Sequence, residues 1–110
     1  MIIKENEALE KKVGPMLIKD YKINPNFSGT LITIDGTHGL MKNIKEDRIY
    51  FVIEGKGKFI VNGEEKIVSK NDLIFVPKNT PYNILGKMTY FLLCTPEFKA
   101  EDDVVIEWVK

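Results

Sequence analysis

Cysteine is nearly missing from this chain: Cys94 stands alone, which excludes an internal disulfide and any cysteine-based zinc site within one chain. Histidine is equally scarce, with His38 its single representative, so the multi-imidazole sites that hold catalytic metals have no ligands to draw on. Arginine also occurs once, at Arg48, against fifteen lysines. Net charge is absent too. Lys+Arg and Asp+Glu both total 16, so no overall field draws the protein onto nucleic acid or an anionic membrane, and neither is expected as a partner. Long apolar runs are lacking: stretches such as Ile49–Ile53 and Leu73–Val76 fall far below the roughly 20 residues of a bilayer-spanning helix. The opening Met1-Ile2-Ile3-Lys4-Glu5-Asn6-Glu7 is charged where a secretory leader is apolar, and a cytoplasmic location is expected. What remains is 110 residues, 44% hydrophobic and 29% charged, the balance of one globular domain with its own core.

The punctuation of the chain predicts an all-β fold. Asn6–Lys12 is expected to form one short helical turn that Gly14-Pro15 stops, so residues 1–13 read as an N-terminal arm and 14–110 as the compact barrel domain. From Met16 onward, β-branched and aromatic residues come in short runs separated by turn residues. Strands are predicted at Met16–Tyr21, Thr30–Ile34, His38–Ile44, Arg48–Glu54, Lys58–Val61, Glu64–Val68, Leu73–Val76, Tyr82–Leu85, Thr89–Thr95 and Val104–Trp108. Turns are placed at Asn24-Pro25-Asn26, Asp35-Gly36, Glu54-Gly55-Lys56-Gly57, Asn62-Gly63, Lys70-Asn71-Asp72 and Asn79-Thr80-Pro81. Asn62-Gly63 is the firmest of these, because Asn-Gly suits the positive φ angles of a type I′ hairpin. Evenly spaced short strands point to a sandwich or closed barrel, with Val104–Trp108 an edge or dimer element.

The stretch from Gly36 to Gly86 resembles the two-motif core of the cupin family, whose fold is a double-stranded β-helix, or jelly-roll barrel. In the first family motif, G-x5-H-x-H-x3,4-E-x6-G, Gly36 and Gly55 supply the ends. With the three-residue spacer, Lys42 and Ile44 fall at the histidine positions and Arg48 at the glutamate. With the four-residue spacer the histidine positions become Met41 and Asn43, and Asp35 replaces the leading glycine. In the second motif, G-x5-P-x-G-x2-H-x3-N, Asn71 and Asn79 replace the glycines, Pro77 is kept, Tyr82 replaces the histidine and Gly86 the asparagine. Asparagine is a sensible stand-in for glycine because it tolerates left-handed backbone angles. The resemblance implies the family barrel without the family's metal ligands; no metal and no cofactor are expected, since a guanidinium at position 48 offers donors and no lone pair.

Period-two alternation puts Arg48, Tyr50 and Val52 on one strand face and Ile49, Phe51 and Ile53 on the other; by resemblance the first face lines the barrel. Arg48 then either holds a ligand carboxylate or phosphate, with Tyr50, Tyr82 and Tyr90 adding hydroxyls, or makes an internal ion pair with Glu46, Asp47 or another acid at a partly wet rim. Tyr82 and His38 are the candidate catalytic groups, as proton donor and as general acid or base. The plainer alternatives are a buried, satisfied tyrosine and a loop histidine. Cys94, Met41 and Met88 read as core filling. Two functions follow. One is a metal-free barrel binding a small polar or anionic metabolite of the sugar or carboxylate class, with acid/base isomerase, epimerase or lyase chemistry if it is an enzyme. The other is a structural or regulatory module with a filled barrel. A homodimer is expected by resemblance, with Phe98, Trp108 and Val109 as interface candidates.

Overall fold

The computed structural model describes residues 1–107, and strands dominate them. In chain order they are β1 (Leu9–Val13), β2 (Met16–Asn24), β3 (Phe27–Thr37), β4 (Leu40–Asn43), β5 (Asp47–Val61), β6 (Glu64–Ser69), β7 (Leu73–Val76), β8 (Tyr82–Thr95) and β9 (Asp103–Glu107). Every pairing is antiparallel. The sheet runs β1-β2-β3-β8-β4-β9, while β5 leaves β8 on its other side and carries β6 and β7. Because β8 is bonded to β3, β4 and β5, the sheet curls around it into the cupin-like jelly-roll barrel. No helix among the described residues is long and apolar enough to cross a membrane.

At the asparagines the turn chemistry behaves as the sequence predicts. Asn62 and Gly63 sit at φ 50° and 80°, the two positive angles of a type I′ turn, and join β5 to β6. Asn71 and Asn79, which stand where the family motif has glycine, take φ of 74° and 62°.

Four local readings differ from the structure. Asn6–Lys12 is not a helical turn: Glu5–Glu7 forms a short 3-10 helix, and Leu9–Val13 pairs along its whole length with β2. A tertiary partner outweighs the helical preference of Leu9-Glu10-Lys11-Lys12. The Glu54–Gly57 turn does not exist either, since Arg48–Glu54 and Lys58–Val61 belong to the single strand β5. In the same way Tyr82–Leu85 and Thr89–Thr95 fuse into β8, and Asp35-Gly36 lies inside β3. Glycines here bend continuous strands instead of ending them. Gly57 faces Gly86 across the β5–β8 ladder, and a Cβ on Gly86 would stand 2.6 Å from the Gly57 Cα. Only glycine permits so close a passage.

Inside the barrel the alternation of β5 holds. Arg48, Tyr50 and Val52 are buried, whereas Ile49, Phe51 and Ile53 face outward at 38%, 40% and 42% exposure. Tyr50, Phe59, Tyr82 and Tyr90 are the largest fully buried rings, each contributing on the order of 1.5–3 kcal/mol through burial. Met41, Met88 and Cys94 belong to this core as expected. Phe98 is half-buried, packs against this core and lies 5.6 Å from ring centroid to the Arg48 guanidinium carbon. Trp108 and Val109 lie outside the described residues.

Candidate functional site

At one end of the barrel the motif positions converge. Met41 and Asn43 point inward and are buried, while Ile44 is turned out at 41% exposure. The strand therefore follows the four-residue spacing of the first motif, and the inward set is Met41, Asn43, Arg48 and Tyr82, with Met41 opposite Tyr82 across the sheet.

Arg48 sits at the centre of a closed polar network. Its Nε and Nη2 donate to Glu46 Oε1 at 3.2 and 3.1 Å, Nη2 donates to Asp103 Oδ1 at 3.0 Å, and Nη1 donates to the Tyr82 hydroxyl oxygen at 2.5 Å. Asn43 ties the acids together: its Nδ2 donates to Glu46 Oε2 at 3.2 Å and to Asp103 Oδ1 at 2.9 Å. Its Oδ1 accepts from the backbone N–H groups of Lys45 and Glu46, which forms the turn leading into β5. The Lys99 backbone N–H also donates to Glu46 Oε2. Of the sequence alternatives for the arginine's partner, Glu46 is realised; Asp47 instead accepts from the Lys78 backbone. The site is also dry where a partly wet rim was expected, with the Arg48 side chain 5% exposed and that of Glu46 0%. Burial works against the guanidinium's charge, but the groups around it, Tyr50, Tyr82, Cys94 and Asp103, shift its pKa upward overall.

The remaining candidates are gathered beside this network. His38 lies just before β4, its ring centroid 5.4 Å from that of Tyr82. Its Nδ1 is 3.0 Å from the Gly39 carbonyl oxygen, and because a carbonyl only accepts, Nδ1 carries the proton and Nε2 the lone pair. Asn83 fixes this corner by accepting from the Gly39 and Ile84 N–H groups. Burial lowers the His38 pKa, helped by Arg48 and opposed by the Gly39 hydrogen bond, so the ring is neutral at neutral pH. Burial raises Tyr82 well above the ordinary phenol value, with Arg48 opposing. Tyr82 is thus a neutral phenol, hydrogen-bonded to Tyr50 as well as to Arg48. Tyr50 and Tyr90 stack edge-on at 5.5 Å and complete the wall. Among the described residues, the Tyr90 hydroxyl is the one buried side-chain polar atom without a hydrogen-bond partner. Burial pushes the Cys94 thiol up to about 12, which leaves it inert.

The family's metal does not fit these residues. Among the described residues no group of three His, Cys, Asp or Glu side chains converges, and the acids nearest the motif positions are bonded to a guanidinium that would repel a cation.

Asn43, Asn83 and Asp103 carry much of this geometry and were not singled out as site residues by sequence. The motif spacing places Asn43 at a histidine position, which is its only signal. Asp103 arrives from 55 residues beyond Arg48, a pairing that no local pattern encodes.

Comparison with known proteins agrees with this fold. The cupin domain family matches residues 33–89. An uncharacterized protein of Methanocaldococcus jannaschii is 26% identical over 110 residues, covering 96% of this chain and 86% of that one. Pac13 of Streptomyces, a nucleoside dehydratase, superposes with a TM-score of 0.93 at 22% identity, over 100% of this chain and 93% of that one; variants of it with a substituted tyrosine or histidine have been seen with uridine. KdgF from Halomonas sp. superposes with a TM-score of 0.81 at 17% identity, over 92% of this chain and 96% of that one.

Proposed function

The chain belongs to the cupin domain family, and on that premise we propose that its barrel binds a small polar molecule of the sugar or nucleoside class and performs metal-independent proton transfer on it. The observation that carries this reading is the pairing of a neutral His38, whose Nε2 lone pair is left free by the Gly39 bond, with a protonated Tyr82 whose oxygen is held by Arg48. A base and an acid poised side by side in a dry, aromatic-walled site are what elimination of water requires. His38 Nε2 takes a proton from a carbon next to an electron-withdrawing group, and the electron pair left behind forms a C=C bond. The neighbouring C–O bond breaks as Tyr82 protonates the departing hydroxyl, which leaves as water. One proton then passes from imidazolium to phenolate and restores both groups. Tyr50 and Tyr90 are ligand-contacting groups in this reading.

The fold shared with a nucleoside dehydratase supports elimination over the isomerase and epimerase alternatives. The test is NMR of the protein with nucleosides and free sugars in deuterated water. Elimination gives new olefinic signals; epimerisation gives deuterium at an existing carbon with no loss of water. Turnover that persists in His38→Gln would sink the assignment of the base.

A second copy of the chain belongs to the same proposal. Phe51 lies opposite Leu73 on β7 and Phe91 on β8, and Ile49 lies opposite Phe75, all facing outward. Such a continuous apolar sheet face supports a homodimer formed by face-to-face packing.

A further inference from the structure

Resting on the binding function proposed above, we infer that the barrel selects an uncharged, hydroxyl-rich ligand and rejects its phosphorylated or carboxylated counterpart, because the chain's own carboxylates already neutralise its one arginine. An isolated buried guanidinium would be an anion receptor. Arg48 is not isolated. Of the five N–H groups of a guanidinium, the chain takes the one on Nε, two on Nη2 and one on Nη1, with Glu46, Asp103 and Tyr82 as acceptors. Two carboxylates face one guanidinium, so the cluster carries excess negative charge. His38, buried beside the Arg48 guanidinium, stays neutral and adds no cation. Asn43 has no donor to spare, as its amide is used on both acids. The lysine on the same turn, Lys45, has a side chain 65% exposed that reaches toward Asp102 at 3.9 Å, not into the barrel.

What the site leaves free is neutral. The Tyr90 hydroxyl is buried without a partner, and His38 Nε2 offers a lone pair. These groups complement hydroxyls, which both donate and accept. An anion would meet the Glu46–Asp103 pair in a medium where like charges repel strongly.

Matched pairs test this selectivity: uridine against uridine 5′-monophosphate, and a free hexose against its 6-phosphate, titrated calorimetrically into the wild type and into Asp103→Asn. Asn keeps an acceptor for Arg48 and removes one negative charge. The expected result is that a neutral member binds at least tenfold tighter than its phosphate, and that Asp103→Asn narrows the gap by raising phosphate affinity. A phosphate that binds the wild type as tightly as its neutral partner overturns this selectivity and leaves the binding function standing. Failure of every member to bind overturns the binding function, and the selectivity with it. If Asp103→Asn does not fold, the wild-type ratio alone is decisive.

Discussion

Arg48 and Tyr82 are joined by a 2.5 Å hydrogen bond from guanidinium to phenol oxygen, buried on both sides, between residues 34 positions apart. The bond links the charged network of Glu46 and Asp103 to the aromatic wall of the barrel.

Replacing the arginine therefore costs stability before it costs binding. Arg48→Ala leaves the Glu46 carboxylate, whose side chain is 0% exposed, without its cation; the expected loss is about 3–5 kcal/mol, measured as a fall in unfolding free energy in urea. A loss under about 1 kcal/mol would mean that the network is no stronger than a surface ion pair.

The neutral His38 gives a definite pH dependence. Its folded pKa lies below the unfolded value of 6.5, so the unfolded chain binds the extra proton first. Its contribution is therefore full above about 6.5 and is lost as pH falls through the window between the two values. Urea midpoints of wild type and His38→Gln, compared from pH 7.5 down to 5, should converge by this route. A wild-type decline no steeper than that of the variant argues against a buried neutral imidazole. If the ring is the base, activity falls over the same acid range.

Gly86→Ala tests the bend. The added methyl would sit 2.6 Å from the Gly57 Cα at a φ of 131°. Strain of this kind costs on the order of 1–3 kcal/mol, and thermal unfolding should show it. Gly63→Ala is the control for positive φ alone, because nothing lies within 4 Å of its added methyl. Equal losses in the two variants would remove the close passage from the explanation.

Phe51→Asp tests the outer face. Its side chain points away from the barrel at 40% exposure, so the monomer fold should survive while a dimer built on this face dissociates. Sedimentation velocity reads the change. A monomeric wild type, or a dimer indifferent to the charge, rejects this interface.

Wherever physics acts within a few residues, the sequence made the architecture legible. Asn62-Gly63 encodes its turn, Asn71 and Asn79 announce left-handed backbone, and the period of Arg48, Tyr50 and Val52 separates inside from outside. The errors arose where partners are distant. Gly55 and Gly57 look like a chain reversal, and Gly86 like a gap between two strands, until the opposite strand shows that they are places of close crossing. Asn6–Lys12 looks like a helical turn until β2 lies beside Leu9–Val13. For the candidate site, the tyrosines, His38 and Arg48 were nameable as residues, but the arginine's neutralisation was not, since it depends on Asp103 reaching it from the far strand.

That last contact has a meaning in time. Glu46, Arg48 and Tyr82 are all synthesised before Asp103, and a domain folds as a unit. Until β9 has been made and laid against β4, the buried cluster lacks one of its two carboxylates, and the network around Arg48 closes only when that strand is in place.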